Sequence, residues 1–265
     1  MIKFLNFASK NCSFCMITKA RIKLIKSLEQ RKQRNLQHLF VAEGPKLVGE
    51  LLETMQPYYI AALPEWWTQN SPLVKSACEQ DTITPAELQR ASLLRTPQQV
   101  IALFPIPEQT FAPTIAQTDL CLALDGVQDP GNIGTILRIA DWFGIHHVVC
   151  SEDTVDAYNP KAVQATMGAL ARVEVHYTSL TALFRQCNVP IYGTLLDGNN
   201  IYGQELGRNG FIVMGNEGNG LSPAVREMVT HKLLIPNYPV GAKTTESLNV
   251  AIATSIVCSE FRRRQ

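Results

Sequence analysis

Leu120-Cys121-Leu122-Ala123-Leu124-Asp125-Gly126-Val127-Gln128-Asp129-Pro130-Gly131-Asn132-Ile133-Gly134 is the stretch that decides the fold of this 265-residue chain. Its first five residues are apolar without alternation, the pattern of a strand buried on both faces. The Asp-, Gly- and Pro-containing segment breaks that strand, and residues 133–143 then read as a helix. Downstream, 148–150, 173–176, 191–195, 211–214 and 233–235 read as strands. They alternate with helical spacing over 161–170, 180–187 and 248–262. Continuous apolar strands separated by helices predict an α/β domain over 118–265, a mostly parallel sheet covered on both faces.

Upstream the pattern is smaller and more basic. Residues 17–34 carry helical spacing through Ile22, Leu24, Ile25 and Leu28, and 39–42 read as a strand ended by Glu43-Gly44-Pro45. A helix over 46–55 and strand candidates at 58–63, 82–84 and 100–104 complete a small α/β unit, 17–105. Pro105, Pro107 and Pro113 mark 106–117 as a linker, because proline continues neither helix nor ladder. Residues 1–16 show no periodicity and read as a disordered extension or a misplaced start.

Composition removes several classes. Hydrophobic residues at 46% and charged residues at 18% exclude an intrinsically disordered chain. No apolar run reaches the ~18 residues of a membrane span, and no secretory leader pattern opens the chain. Seven scattered cysteines read as reduced thiols of a cytoplasmic protein. Cys12 and Cys15 form one C-x-x-C without a second pair, so no metal site is expected. His146 and His147 are adjacent, hence on opposite strand faces, and have no nucleophile partner in the sequence. Trp66-Trp67 fits base stacking or ordinary packing, with packing favoured.

Net charge is +1, yet residues 1–46 hold ten Lys or Arg against two acids, a balance of +8. A basic arm on an otherwise acidic chain suits nucleic-acid contact, although a solvated helix face is also basic. The candidate RNA ligands are Lys19, Arg21, Lys23, Lys26, Arg31, Lys32, Arg34 and Lys46.

Open parallel sheets bind ligands beyond the carboxyl ends of their strands. Three loops there are rich in Gly, Asn and Pro: 125–134, leading to Arg138; 215–222; and 235–237, followed by Glu246-Ser247-Leu248-Asn249. Glycine permits close backbone approach, and helix N-termini offer free N–H groups. Each loop alone is also a plain turn or cap. No G-x-G-x-x-G after a strand and no G-x-x-x-x-G-K-[ST] occurs, which disfavours ordinary dinucleotide and triphosphate loops.

Taken together, Asn132-Ile133-Gly134-Thr135-Ile136-Leu137-Arg138-Ile139-Ala140, Val213-Met214-Gly215-Asn216-Glu217-Gly218-Asn219-Gly220-Leu221, and Ile235-Pro236-Asn237 with Ser247-Leu248-Asn249-Val250-Ala251 resemble the motifs of the SpoU-type (TrmH-like) RNA 2′-O-ribose methyltransferases of the SPOUT superfamily. The basic segment with Phe40-Val41-Ala42-Glu43-Gly44-Pro45-Lys46 resembles the substrate-binding domain that precedes many members. The resemblance implies an α/β domain whose C-terminal chain threads a trefoil knot. It implies S-adenosylmethionine (AdoMet) held by Thr194, Leu195, Met214, Gly215, Asn216, Glu217, Gly218, Ile235, Pro236, Asn237, Ser247, Leu248 and Asn249. It implies Arg138 as the catalytic residue, with Asn132, Glu217, Ser247 and Asn249 orienting substrate and loop. It also implies a homodimer in which Arg138 of one subunit serves the cofactor of the other. Asn237 departs from the family pattern, where Met often follows Ile-Pro. The substrate expected is RNA, ribosomal before transfer RNA, and the competing class is a non-catalytic RNA-binding protein of the same fold. The apolar final helix, with Val250, Ala251, Ile252, Ala253, Ile256 and Val257, suits burial on more than one side.

Overall fold

The computed structural model describes residues 17–74, 78–108, 110–239, 242–243, 245 and 247–264. The expectations for 1–16, Cys12, Cys15 and Glu246 lie outside these residues. The chain begins with α1 (Lys19–Ser27), α2 (Arg31–Gln37), β1 (Leu39–Glu43), α3 (Pro45–Leu52), β2 (Tyr59–Ala62), α4 (Pro64–Asn70), β3 (Glu79–Thr82), α5 (Pro85–Ala91) and β4 (Val100–Pro105). These strands form a four-stranded sheet in the order β1-β4-β2-β3. Next come α6 (Ile115–Thr118), β5 (Leu120–Asp125), α7 (Pro130–Trp142), β6 (His147–Cys150), α8 (Pro160–Thr166), β7 (Glu174–Tyr177) and α9 (Leu180–Gln186). The chain closes with β8 (Ile191–Asn200), β9 (Gly210–Gly215), α10 (Pro223–Arg226), β10 (His231–Leu234) and α11 (Val250–Arg263). This second sheet has six strands, all its pairings parallel, in the order β10-β8-β9-β5-β6-β7.

The helix expected over 17–34 is two helices. Thr18 caps α1 through Arg21 N–H, and the chain turns at Leu28–Gln30 without Gly or Pro to mark the break. Arg34 explains why the break is stable. Its Nη1 donates to the carbonyls of Leu28 and Glu29, both at 2.8 Å, so helix-end acceptors are satisfied by a side chain. Its Nε and Nη2 reach Asp156 Oδ2 in the second sheet's domain. Arg34 is 1% exposed. The expectation that it contacts RNA is therefore corrected: it is a buried strut between the two α/β units.

The Glu43-Gly44-Pro45 break has a similar logic. Gly44 takes φ +95°, a conformation that disfavours a side chain, and Pro45 opens α3. Glu43 is buried and accepts hydrogen bonds from Ser92 Oγ and Leu93 N–H. Its backbone carbonyl accepts from Gln164 Nε2 of α8, a second tie between the units. Arg172 adds a third by bridging Glu50 and Asp141. One apolar cluster runs through both, from Phe40 and Trp66 to Leu122, Ile136 and Phe261. The segment read as a linker is packed at its end: Phe111 and Ala116 are buried against Phe211 and Phe184. Trp66 is fully buried, which settles its side chain as packing and removes it from base stacking.

Candidate functional site

The carboxyl ends of β5, β9 and β10 release the loops singled out above, with β8 lying between β9 and β10. The loop after β5 is set by Asp125 and Asp129. Asp129 caps α7 by accepting from Asn132 N–H, and that bond holds its carboxyl below the usual range. Asp125 is buried and accepts Ser222 N–H at 2.6 Å across the loop after β9. Its partner is 97 residues away, so no local signal revealed it.

The loop after β9 is organised by Asn216. Its Oδ1 accepts from Gly218 N–H and Asn219 N–H, and its Nδ2 donates to the Gly126 carbonyl at 2.7 Å. The two glycines of this loop then differ in kind. A Cβ on Gly215 would sit 2.4 Å from the Gly220 carbonyl carbon, so Gly215 is required by the loop closing on itself. A Cβ on Gly218 would meet only Asn216 Oδ1 at 3.6 Å, so its open face is available to a ligand. Gly134 at the start of α7 is a packing glycine: its missing Cβ makes room for Ala162 and Ala165 of α8.

The three motifs meet in one hydrogen-bonded chain. Asn132 Nδ2 donates to Glu217 Oε1 at 2.8 Å, and Asn249 Nδ2 donates to Asn132 Oδ1 at 3.0 Å. Asn249 Oδ1 simultaneously caps α11 through Ala251 and Ile252 N–H. Ser247 and Leu248 are exposed beside this cluster, and the Ser247 carbonyl accepts from Thr245 Oγ1. Arg138 is exposed and has no hydrogen-bonding or ionic partner among the described residues, whereas Asp141 is taken by Arg172. Six residues along α7 put Arg138 about 9 Å and roughly 120° from Asn132. Within one chain it stands apart from the cluster.

Cofactor candidates line the same edge. Leu195 and Met214 are buried, Thr194, Ile235 and Pro236 half-buried, and Thr194 Oγ1 donates to the Val213 carbonyl. Asn237 donates to the Ala242 carbonyl at 2.7 Å, so the residue that departs from the family pattern closes its own loop. β8 leaves the ladder after Gly193 and rejoins β10 at Asn199, with Gly198 lying directly on the Leu233 backbone. Apolar side chains between exposed strand-end backbone groups, with the open cradle at Gly218, fit a ligand having a flat ring and polar tails.

Among the basic candidates, Lys19, Lys23, Arg31, Lys32 and Lys46 are exposed. Arg21 pairs with Glu79 and packs over Tyr59, 4.7 Å from the ring centroid, while Lys26 Nζ donates to the Ser92 carbonyl. Both are committed within the fold as well as basic.

Fold and site define a two-unit α/β protein with a loop-built polar cluster at the carboxyl edge of a parallel sheet. The chain belongs to the SpoU rRNA methylase family, whose model matches residues 119–259; residues 19–102 match the MRM3-like substrate binding domain. The 23S rRNA (guanosine(2553)-2′-O)-methyltransferase RlmP of Bacillus subtilis is 29% identical over 91% of this chain and 96% of its own. A structure assigned to the TrmH family of RNA methyltransferases, from Porphyromonas gingivalis, is 41% identical with TM-score 0.85, covering 94% of this chain and all of that one. An AdoMet-bound rRNA methyltransferase from Sinorhizobium meliloti is 26% identical with TM-score 0.82, covering 94% of this chain and 97% of that one. No helix among the described residues is long and apolar enough to cross a membrane.

Proposed function

We propose that the protein is an AdoMet-dependent methyltransferase acting on a ribose 2′-hydroxyl of ribosomal RNA. The carrying observation is the Glu217–Asn132–Asn249 chain, which ties three family motifs together at the carboxyl edge of the sheet. The 23S rRNA activity for which RlmP is named, in a relative matched over nearly the whole chain, and the substrate-binding domain at 19–102 support a ribosomal substrate over transfer RNA.

When bound, AdoMet supplies an electrophilic methyl group. The residues that would hold it are Thr194, Leu195, 214–218, 235–237 and 247–249, largely through backbone groups. A ribose hydroxyl is a weak nucleophile, so the protein must align it, offset phosphate charge and stabilise the oxygen as its proton passes to solvent water. Arginine keeps its proton at physiological pH, so Arg138 serves as a phosphate clamp and stabiliser of the developing alkoxide. Asn132, held between Glu217 and Asn249, fixes the loop beside the reacting atoms. The distance of Arg138 from this cluster supports a homodimer in which each Arg138 completes the partner's site. Trp142 at 84% and Ile252 at 55% exposure supply apolar surface that such an interface would cover. The trefoil threading belongs to the same proposal.

The test is incubation with methyl-tritiated AdoMet and ribosomal RNA from cells lacking the gene. We expect label in one alkali-resistant dinucleotide, the mark of a 2′-O-methyl group. Label confined to transfer RNA would replace the substrate assignment. Label on a base, or RNA binding with no AdoMet binding, would overturn the activity.

A further inference from the structure

Of the two histidines that the sequence left without a partner, His147 acquires one across the sheet. β6 and β7 pair in parallel with His147 opposite Glu174 and Val149 opposite His176. Strand alternation puts Glu174 and His176 on one face, the face that also presents His147. His147 Nδ1 lies 3.4 Å from His176 Nε2 and 3.5 Å from Glu174 Oε2, and the last two atoms are 3.7 Å apart. All three separations exceed the 2.7–3.2 Å of a good N–H···O bond. The 3.4 and 3.5 Å separations match another geometry, and the 3.7 Å one lies just beyond it. Ligands about 2.0–2.2 Å from a tetrahedral zinc ion stand roughly 3.3–3.6 Å from one another.

The surroundings suit a bound ion. His176 is buried, and the Phe111 ring packs edge-on against both imidazoles, with centroids 5.9 and 5.3 Å away. Phe111 thereby walls one side with apolar surface. A cleft of about 380 Å³, lined by Thr118, Asp119, His147 and Arg208, adjoins the cluster at His147. His147 and Glu174 open β6 and β7, whereas the pocket proposed above lies where the strands end. The two places are therefore at opposite edges of the sheet.

We propose that His147, Glu174 and His176 bind one divalent transition-metal ion, with zinc favoured, and with solvent completing the coordination. Two imidazoles and a carboxylate select zinc-like ions over magnesium or calcium, which prefer all-oxygen sites. The ion acts as a clip: it fastens β7, the edge strand, to β6 and stabilises the folded state by binding it alone. The site escaped the sequence reading because its ligands come from two strands joined only by the crossover. The Glu174-x-His176 spacing was the local sign.

The test uses the full chain stripped with a chelator, titrated with Zn²⁺ by calorimetry and with Co²⁺ by visible absorption, with Mg²⁺ as control. We expect about one Zn²⁺ per chain, ligand-field bands with Co²⁺, and no comparable response to Mg²⁺. Zn²⁺ at about a hundredfold excess over Kd should raise Tm on the order of 5 °C. His147→Ala and Glu174→Gln alter partly exposed side chains, so both variants should fold while losing at least tenfold in affinity. The Cys12→Ser/Cys15→Ser double variant should bind as the wild type does. Three results would overturn the proposal: no binding below millimolar Zn²⁺, unchanged affinity in both strand variants, or loss of binding in the cysteine variant.

Discussion

Replacing Arg34 with Met separates a strut from an RNA ligand. The substitution keeps most of the stem and removes the guanidinium. Two hydrogen bonds to Asp156 Oδ2, at 2.9 and 2.5 Å, disappear together with those to the Leu28 and Glu29 carbonyls. Breaking a buried ion pair from one side costs about 3–5 kcal/mol, because the remaining charge stays buried. Asp156 keeps the Tyr158 N–H at 2.9 Å and is 11% exposed, which places the cost near the lower end, about 3 kcal/mol. At roughly 2–4 °C per kcal/mol, Tm should fall by roughly 6–12 °C. Urea unfolding of Arg34→Met, Asp156→Asn and the double variant measures the loss and its coupling. The salt dependence of RNA binding is read on the same proteins. Arg34→Met should leave that slope unchanged, whereas joint Gln replacement of Lys19, Lys23, Arg31 and Lys32 should flatten it by up to about three. An Arg34→Met protein as stable as the wild type, with a slope reduced by about one, would refute the assignment and restore Arg34 to the RNA surface.

Gly218→Val should abolish AdoMet binding in a protein that folds normally, while Gly215→Val should disturb the loop and lower Tm as well; calorimetry with circular dichroism separates the two, and normal binding by Gly218→Val would move the pocket elsewhere. Arg138→Ala and Asn249→Asp subunits should each be nearly inactive, the latter keeping the α11 cap acceptor but losing the amide that holds Asn132. Mixed in equal amounts with free exchange, they should recover about a quarter of wild-type activity, since about half the dimers carry one intact site. Mixtures that stay inactive although mass spectrometry shows heterodimers would confine the site to one chain. Arg263 and Arg264 hold the Glu260 carboxyl down to about 2. Because that value is depressed on folding, its stabilisation is complete above the ordinary carboxylate range and fades as pH falls from about 4.5 to about 2. Acid titration of unfolding should therefore be less steep in Glu260→Gln, and an unchanged profile would remove this pair from the acid response.

The sequence by itself determined the α/β alternation, because strand burial and helix periodicity are written in nearest neighbours. It also determined the family and the candidate loops, since short motifs such as 213–221 and 247–251 survive as contiguous strings. Only the tertiary structure decided which candidates work together, because those contacts join residues far apart in the chain. Arg34 read as one more cation on a basic helix until Asp156, 122 residues on, accounted for it. Gly215 and Gly218 look alike in the string, and they part only when the loop folds back on Gly220. Asp125 finds Ser222, Asn132 finds Glu217 and Asn249, and His147 finds Glu174 and His176, each through the ordering of parallel strands. Parallel pairing is the physical reason: every neighbour in such a sheet is reached by a crossover, so local sequence fixes the elements while the strand order chooses the partners.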